Sequence, residues 1–278
     1  MNFLFKKSLI KMNYFTIIIL TFLLIYFFIL FTTYFFQRNL LYHPKENNYL
    51  DNQINFEYKE VFIPVNKNIK LKSWIIEKDF KKNKTLIFFH GNAGNLNNRI
   101  YKINELYNLD INILLVSWRG FSGNKGKPTE KGLYEDAKST ILWVKKQGVN
   151  LEDIILYGES LGTGVATQMA FDFNVAGLIL ESPYTSMIDA GKLYYPYLPV
   201  SFLLKDRYET SKKIDKINIP ILIMHGKQDD LVPIEMSYSL FDKIKGKKYS
   251  YFPENDDHMM EYNNELIKNI ENFINKLK

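Results

Sequence analysis

A chain of 278 residues with 46% hydrophobic content can bury a large core, enough for one large α/β domain or two small ones, so disorder is not the default. The net charge of +6 falls to +2 once Lys6, Lys7, Lys11 and Arg38 are set apart with the acid-free segment they flank, which leaves no electrostatic case for a nucleic-acid surface. The absence of cysteine excludes disulfides, thiolate metal sites and a cysteine nucleophile.

The chain opens with a basic flank, residues 1–13, followed by an uncharged run whose apolar part covers residues 14–36. As a helix rising about 1.5 Å per residue this part reaches roughly 35 Å, enough for a hydrocarbon layer of about 30 Å. It exceeds the apolar region of a cleaved signal peptide, and no small-residue cleavage site follows it. It therefore reads as an uncleaved, single-pass anchor. Three lysines and the amino terminus precede it, against Arg38 and Lys45 after it, so the N-terminus is expected in the cytoplasm and the remainder outside. Residues 37–55 read as a polar connector and residues 56–278 as one catalytic domain.

Eight strand-like runs follow: "FEYKEVFIPV", "IKLKSWII", "TLIFFH", "INILLVSW", "IILYG", "AGLILES", "PILIMHG" and "KKYSYFP". The first two stand close together without a helix and suggest an antiparallel leading edge. From Thr85 on, most are separated by amphipathic stretches, such as the one that sets Leu133, Ala137, Ile141 and Val144 on one helical face. Nearly continuous apolar strands alternating with helices imply a mostly parallel eight-stranded sheet covered on both faces. Between the sixth and seventh strands, residues 183–213 form a short cap insertion with apolar residues gathered in "YYPYLPVSFLL". It reads either as a lid that contacts an acyl chain or the bilayer, or as a cover packed on the sheet.

In parallel sheets, ligands gather beyond the carboxyl ends of strands, where "FFHGNAGN", "LYGESLGTG" and "IMHGKQDD" lie. The segment Gly158-Glu159-Ser160-Leu161-Gly162 joins a strand to a helix, the setting in which G-x-S-x-G exposes a serine on a sharp turn. A serine hydroxyl is a weak nucleophile and needs a base, which needs an orienting acid. Of the four histidines, His43 lies in the connector, and His90 and His225 precede glycines at strand ends and suit loop orientation. His258, in the loop before the last helix, is the expected base. Asp229 is the expected acid, with Asp230, Asp256 and Asp257 as solvated turn carboxylates; the order Ser, Asp, His suits the elbow motif.

These motifs, with "WRGFSGNKGKPTEKGLYEDA" and "ESPYTS", resemble the α/β-hydrolase superfamily over residues 56–276. More narrowly they are similar to its membrane-anchored subgroup, which includes the bud-emergence-type proteins and the α/β-hydrolase-domain-containing proteins thirteen and seventeen. The resemblance implies an α/β-hydrolase fold and supports Ser160, Asp229 and His258 as a triad. The chain departs from the subgroup at Ser117-Trp118, where an aspartate and an aromatic are usual, and at Asp257, where a glycine is usual. The first departure bears on the anchoring of the loop at Arg119, the second on the pH profile of the base.

The expected oxyanion hole is the backbone N–H of Leu161 with one from the "HGNAG" loop, Asn92 or Ala93. The expected activity is cleavage of a carboxylic ester or thioester, of a small-molecule or acylated substrate, without cofactor or metal. The rival readings are a serine peptidase of the same fold and a catalytically silent, membrane-tethered scaffold.

Overall fold

The computed structural model describes residues 13–46 and 54–277. Nearly all of the expected cytoplasmic flank, and residues 47–53 of the connector, lie outside them. Helix α1 (Tyr14–Leu41) starts where the Asn13 side chain accepts the Thr16 N–H. It is long and apolar enough to cross a membrane. The helix does not stop where its apolar run does: residues 37–41, expected as connector, are its last turns. The reason is tertiary. Gln37 is buried, and Arg38 forms a bidentate pair with Asp206 at 2.8 and 3.1 Å, so polar side chains find partners that a connector would leave to water. The chain then forms β1 (His43–Pro44).

The hairpin of β2 (Lys59–Pro64) and β3 (Lys70–Ile76) is antiparallel and turns at Asn66, whose side chain accepts the N–H groups of Asn68 and Ile69. Next come β4 (Thr85–Phe89), β5 (Ala93–Gly94), α2 (Ile100–Leu106), β6 (Asn112–Val116), α3 (Glu130–Lys146), β7 (Ile154–Glu159), α4 (Leu161–Asp172) and β8 (Gly177–Glu181). The cap carries α5 (Met187–Tyr194) and α6 (Val200–Leu203), and β9 (Ile221–Met224), α7 (Ile234–Lys243), β10 (Lys248–Tyr251) and α8 (Asn264–Ile274) complete the chain.

All eight expected strands join one sheet in the order β10-β9-β8-β7-β4-β6-β3-β2, parallel except where β3 pairs with β2 and β6. Every residue of β4, β6, β7 and β8 is buried, because helices cover both faces. Alternate residues serve the two sides: Ile87, Leu114 and Leu156 pack with Leu133 and Ile141 of α3 and Val165 of α4, while Leu86, Leu115 and Ile155 pack with Ile103 of α2 and Ile270 of α8. Outside the main sheet, β1 pairs in parallel with β5, so the end of α1 is stitched to the loop that follows β4.

Candidate active site

Ser160 occupies the single residue between β7 and α4, with φ 50° and ψ −117°. This conformation is strained for a side chain with a Cβ and is held only because its surroundings over-determine it. Its N–H donates to the Glu181 carbonyl at 2.9 Å, and its own carbonyl accepts from Thr163 N and Oγ1 at 2.9 and 2.6 Å. The flanking glycines are required by close approach: a Cβ on Gly158 would lie 2.6 Å from the Gly162 carbonyl oxygen, and one on Gly162 only 2.0 Å from that of Phe89. The turn therefore pushes the serine hydroxyl out beyond the sheet.

His258 Nε2 lies 2.9 Å from Ser160 Oγ, and His258 Nδ1 lies 2.6 Å from Asp229 Oδ2. Three residues from distant parts of the sequence thus form one hydrogen-bonded chain. The Asp229 carboxylate is fully committed. Oδ1 accepts the N–H groups of Leu231 and Val232, both at 2.8 Å, and Oδ2 accepts a second imidazole, His225 Nε2, also at 2.8 Å. Burial raises the pKa of Asp229, but the hydrogen bonds from His225 and His258 outweigh it and hold the carboxyl well below its usual range. An acceptor-only carboxylate dictates tautomers: His258 donates from Nδ1 and leaves Nε2 free to take the serine proton, and His225 donates from Nε2 while its Nδ1 accepts from Ser237 Oγ at 2.6 Å.

His225, read from the sequence as a loop histidine, is therefore a buried partner of the acid. His90 stands apart, among Trp118 and Phe121, with Nδ1 2.8 Å from the Gly91 carbonyl; burial, aided by Arg99, lowers its pKa to about 3. Asp230 is exposed, and Asp256 and Asp257 accept the N–H groups of Glu261 and Met259 as turn carboxylates. The loop at Ser117-Trp118 is anchored without the usual aspartate: Trp118 Nε1 donates to the His90 carbonyl at 3.0 Å, and Arg119 is clasped by Asp136 and Glu135 of α3.

Sequence reasoning passed over the charged group behind the serine. Glu159 and Glu181, at the ends of β7 and β8, are buried against Arg99 and Lys102, also buried. Arg99 pairs with Glu159, and Lys102 bridges Glu159, at 2.9 Å, and Glu181. Tyr157 and Tyr262 both donate to Glu181 Oε2. Burial disfavours both ionised forms, yet the opposite charges prevail, holding Glu159 low and Lys102 high. The cluster also grips the loop after β4, since Gly91 N donates to Glu159 Oε1 at 3.1 Å and Arg99 Nη1 to the Ala93 carbonyl at 2.9 Å. A signal was present: carboxylates closing otherwise apolar strands need cations, and Arg99 and Lys102 sit three residues apart.

In front of the serine lies a cavity of about 530 Å³ with Ser160, Leu161, Asn92 and His258 at its polar end. The cap supplies Tyr184, Met187, Leu198 and Val200, and α1 supplies Thr33, Gln37, Leu40 and Leu41. Of the two loop residues expected to furnish an oxyanion donor, Asn92 lines this cavity, whereas Ala93 is exposed and paired with His43. The cap lines the cavity in front of the serine and leaves Leu193, Tyr197 and Phe202 exposed.

The family described as alpha/beta hydrolase fold matches residues 84–210. An uncharacterized protein of Mycobacterium tuberculosis is 36% identical over 177 residues, 62% of this chain, and the chain spans only 63% of that relative's length. Protein bem46 of Schizosaccharomyces pombe is 27% identical over 76% of this chain and 74% of its own. The lysophosphatidylserine lipase ABHD12 of Danio rerio is 29% identical over 64% of this chain and 53% of its own. Among solved structures, an esterase of Pyrococcus furiosus has a TM-score of 0.69 at 21% identity, covering 85% of this chain and 99% of its own, a likeness of fold.

Proposed function

Because the chain belongs to the α/β-hydrolase family, we propose that it is a membrane-anchored serine hydrolase that cleaves a carboxylic ester or thioester of an apolar acyl group. The observation that carries this reading is the hydrogen-bonded line Ser160–His258–Asp229 at the polar end of an apolar cavity. Ser160 Oγ attacks the carbonyl carbon as its proton passes to His258 Nε2. The oxyanion is stabilised by the Leu161 N–H, at the positive end of α4, and by that of Asn92. Collapse of the tetrahedral adduct breaks the bond to the alcohol or thiol, which leaves with the proton from His258. Water then attacks the acyl-enzyme by the same route, His258 again taking the proton and returning it to Ser160. Asp229 stays ionised throughout; with His225 behind it, it fixes the tautomer of His258 and stabilises the imidazolium.

The apolar cavity wall favours an acyl chain over a peptide, and the similarity to the lysophosphatidylserine lipase of Danio rerio supports a lipid ester as the substrate. Anchoring rests on α1, and an extracytoplasmic domain on the lysines before it. One experiment tests chemistry and topology together. A membrane-impermeant fluorophosphonate added to intact cells should label the wild type and not Ser160→Ala, and Ser160→Ala should lower ester turnover by about 10⁴-fold or more. Labelling only after lysis would place the domain in the cytoplasm. No labelling and no turnover of any activated ester would leave a silent scaffold, and faster turnover of peptides than esters would make it a peptidase.

A further inference from the structure

Four of the six buried or half-buried positions of α1 fall on one line, with Thr32 and Arg38 lying off it. Leu30, Thr33, Gln37 and Leu41 are half-buried or buried, with Tyr26 continuing the row toward the N-terminus, the three-to-four spacing of a single helical face. That face meets the cap. Tyr26 Oη donates to the Tyr197 carbonyl at 3.0 Å. The Gln37 amide is held at both ends, donating to the Leu203 carbonyl at 3.0 Å and accepting the Lys205 N–H at 2.7 Å. Contact therefore runs from Tyr26 to Arg38, about 18 Å along the axis at roughly 1.5 Å per residue.

Length decides what this means. The 28 residues of α1 span about 42 Å, only about 12 Å more than a hydrocarbon layer of roughly 30 Å. Even with that whole excess on the cap side, the layer begins near Thr33, and Tyr26 lies about 10 Å within it. A cap resting above the bilayer would touch only about the last two turns of the helix, whereas this one follows α1 inward. Its surface suits that place: Tyr197 is 66% exposed and Phe202 88%, and Leu193 of the same segment is exposed too. Grouped exposed apolar side chains of this kind mark a contact surface. Lys205 Nζ lies 3.9 Å over the Tyr34 ring, close to Arg38, the basic and aromatic pairing of a head-group boundary.

The cavity that ends at Ser160 runs between these same two walls, with Thr33, Gln37 and Leu40 on one side and Leu198 and Leu203 on the other. We infer that the cap segment from Leu193 to Leu203 is seated in the leaflet that α1 crosses, and that the cavity is a lateral portal through which the long-chain acyl ester of a membrane lipid passes from the leaflet to Ser160. The helix is then a wall of the substrate site as well as a tether. The chemistry at Ser160 rests on the function proposed above; the seating of the cap does not.

The lack of cysteine allows each arm to be read on the full chain in phosphatidylcholine vesicles. Single variants Tyr197→Cys and Phe202→Cys carry bimane, with Lys245→Cys, just before β10 at the far end of the sheet, as reference. Nitroxides on the lipid acyl chains should quench the first two probes strongly and the reference weakly. Quenching of all three alike, or only by aqueous iodide, overturns the seating. In the second arm Thr33→Trp narrows the wall, and the ratio of palmitoyl-ester to acetyl-ester turnover should fall by about ten-fold or more, the scale on which a pocket discriminates chain length. An unchanged ratio overturns the portal. If the wild type turns over neither ester, the proposed function fails and acyl-chain quenching alone still decides where the cap sits.

Discussion

Behind Ser160, at the ends of β7 and β8, four charged side chains are packed out of water and paired with one another; in front of it, α1 and the cap enclose a cavity lined by leucine, tyrosine and methionine. The contrast follows from what each side must do. An elbow with a strained φ holds its shape only against a backing that cannot shift, and paired buried charges punish displacement because each partner moved leaves a charge in low dielectric. The front borders a cavity, so its side chains leave apolar surface uncovered. Rigidity and vacancy are thus divided across one residue, with the loop from His90 to Gly94 held by both: Glu159 and Arg99 grip it from behind, and Leu41 and His43 from the side of α1.

The sharpest way to break that contrast is to remove one charge from the backing. Lys102→Met leaves Glu181 and one side of Glu159 without a cation, and should destabilise the fold by about 3–5 kcal/mol. Fluorophosphonate labelling at Ser160 should fall with it, because the loop that Glu159 holds is released. Adding Glu181→Gln should recover much of the loss, since it removes the orphaned charge. Denaturant midpoints of the single and double variants in detergent give the comparison; a loss below about 0.5 kcal/mol for Lys102→Met would show the cluster to be mere filling.

A smaller effect sharpens the same boundary through pH. His90, fixed between the backing and the rings of Trp118 and Phe121, has its pKa lowered from 6.5 to about 3. The unfolded chain takes up this proton near pH 6.5 and the folded chain only near 3, so between those values the unfolded state binds more protons and stability declines as pH falls. The decline attributable to His90 approaches about 1.4 kcal/mol per pH unit. Glu159 and Asp229, both held below their ordinary values of 4.5 and 3.8, begin to lose their contribution only as the pH falls through those ordinary values. Comparing wild type with His90→Gln between about pH 6.5 and 4.5 therefore isolates this group; equal slopes would mean that His90 is solvated.

The elements that were legible in the sequence are those whose physics is local. A strand buried on both faces is apolar along most of its length, so β4, β6, β7 and β8 announced themselves, and the crowding at Gly158 and Gly162 explains why the serine between them stood out. What stayed hidden depends on partners far along the chain. His225 followed by glycine looks like any strand end until Asp229 folds back on it. Gln37 and Arg38 looked like the polar limit of an apolar run, because the Leu203 carbonyl that holds Gln37 lies 166 residues away. The expectation of a connector failed there for want of tertiary information, while the assignment of the acid rested on a motif that includes its own turn, the two N–H groups of Leu231 and Val232.

The front of the site offers the smallest effect and the cleanest contrast with Lys102. Leu198, between α5 and α6, is half-buried and faces the cavity rather than a packed core. Leu198→Ala should therefore cost less than about 1 kcal/mol, against the roughly 2.7–5 kcal/mol of a leucine deleted from a close-packed interior. Its functional effect should exceed its structural one, moving the preferred ester toward longer or bulkier acyl groups, because the lost methyl groups enlarge a space that already holds no protein atoms. Unfolding and an acyl-length series on one preparation measure both. If the substitution costs as much as a core leucine and leaves the length profile unmoved, the cap is packed like the backing, and the division of labour across Ser160 does not exist.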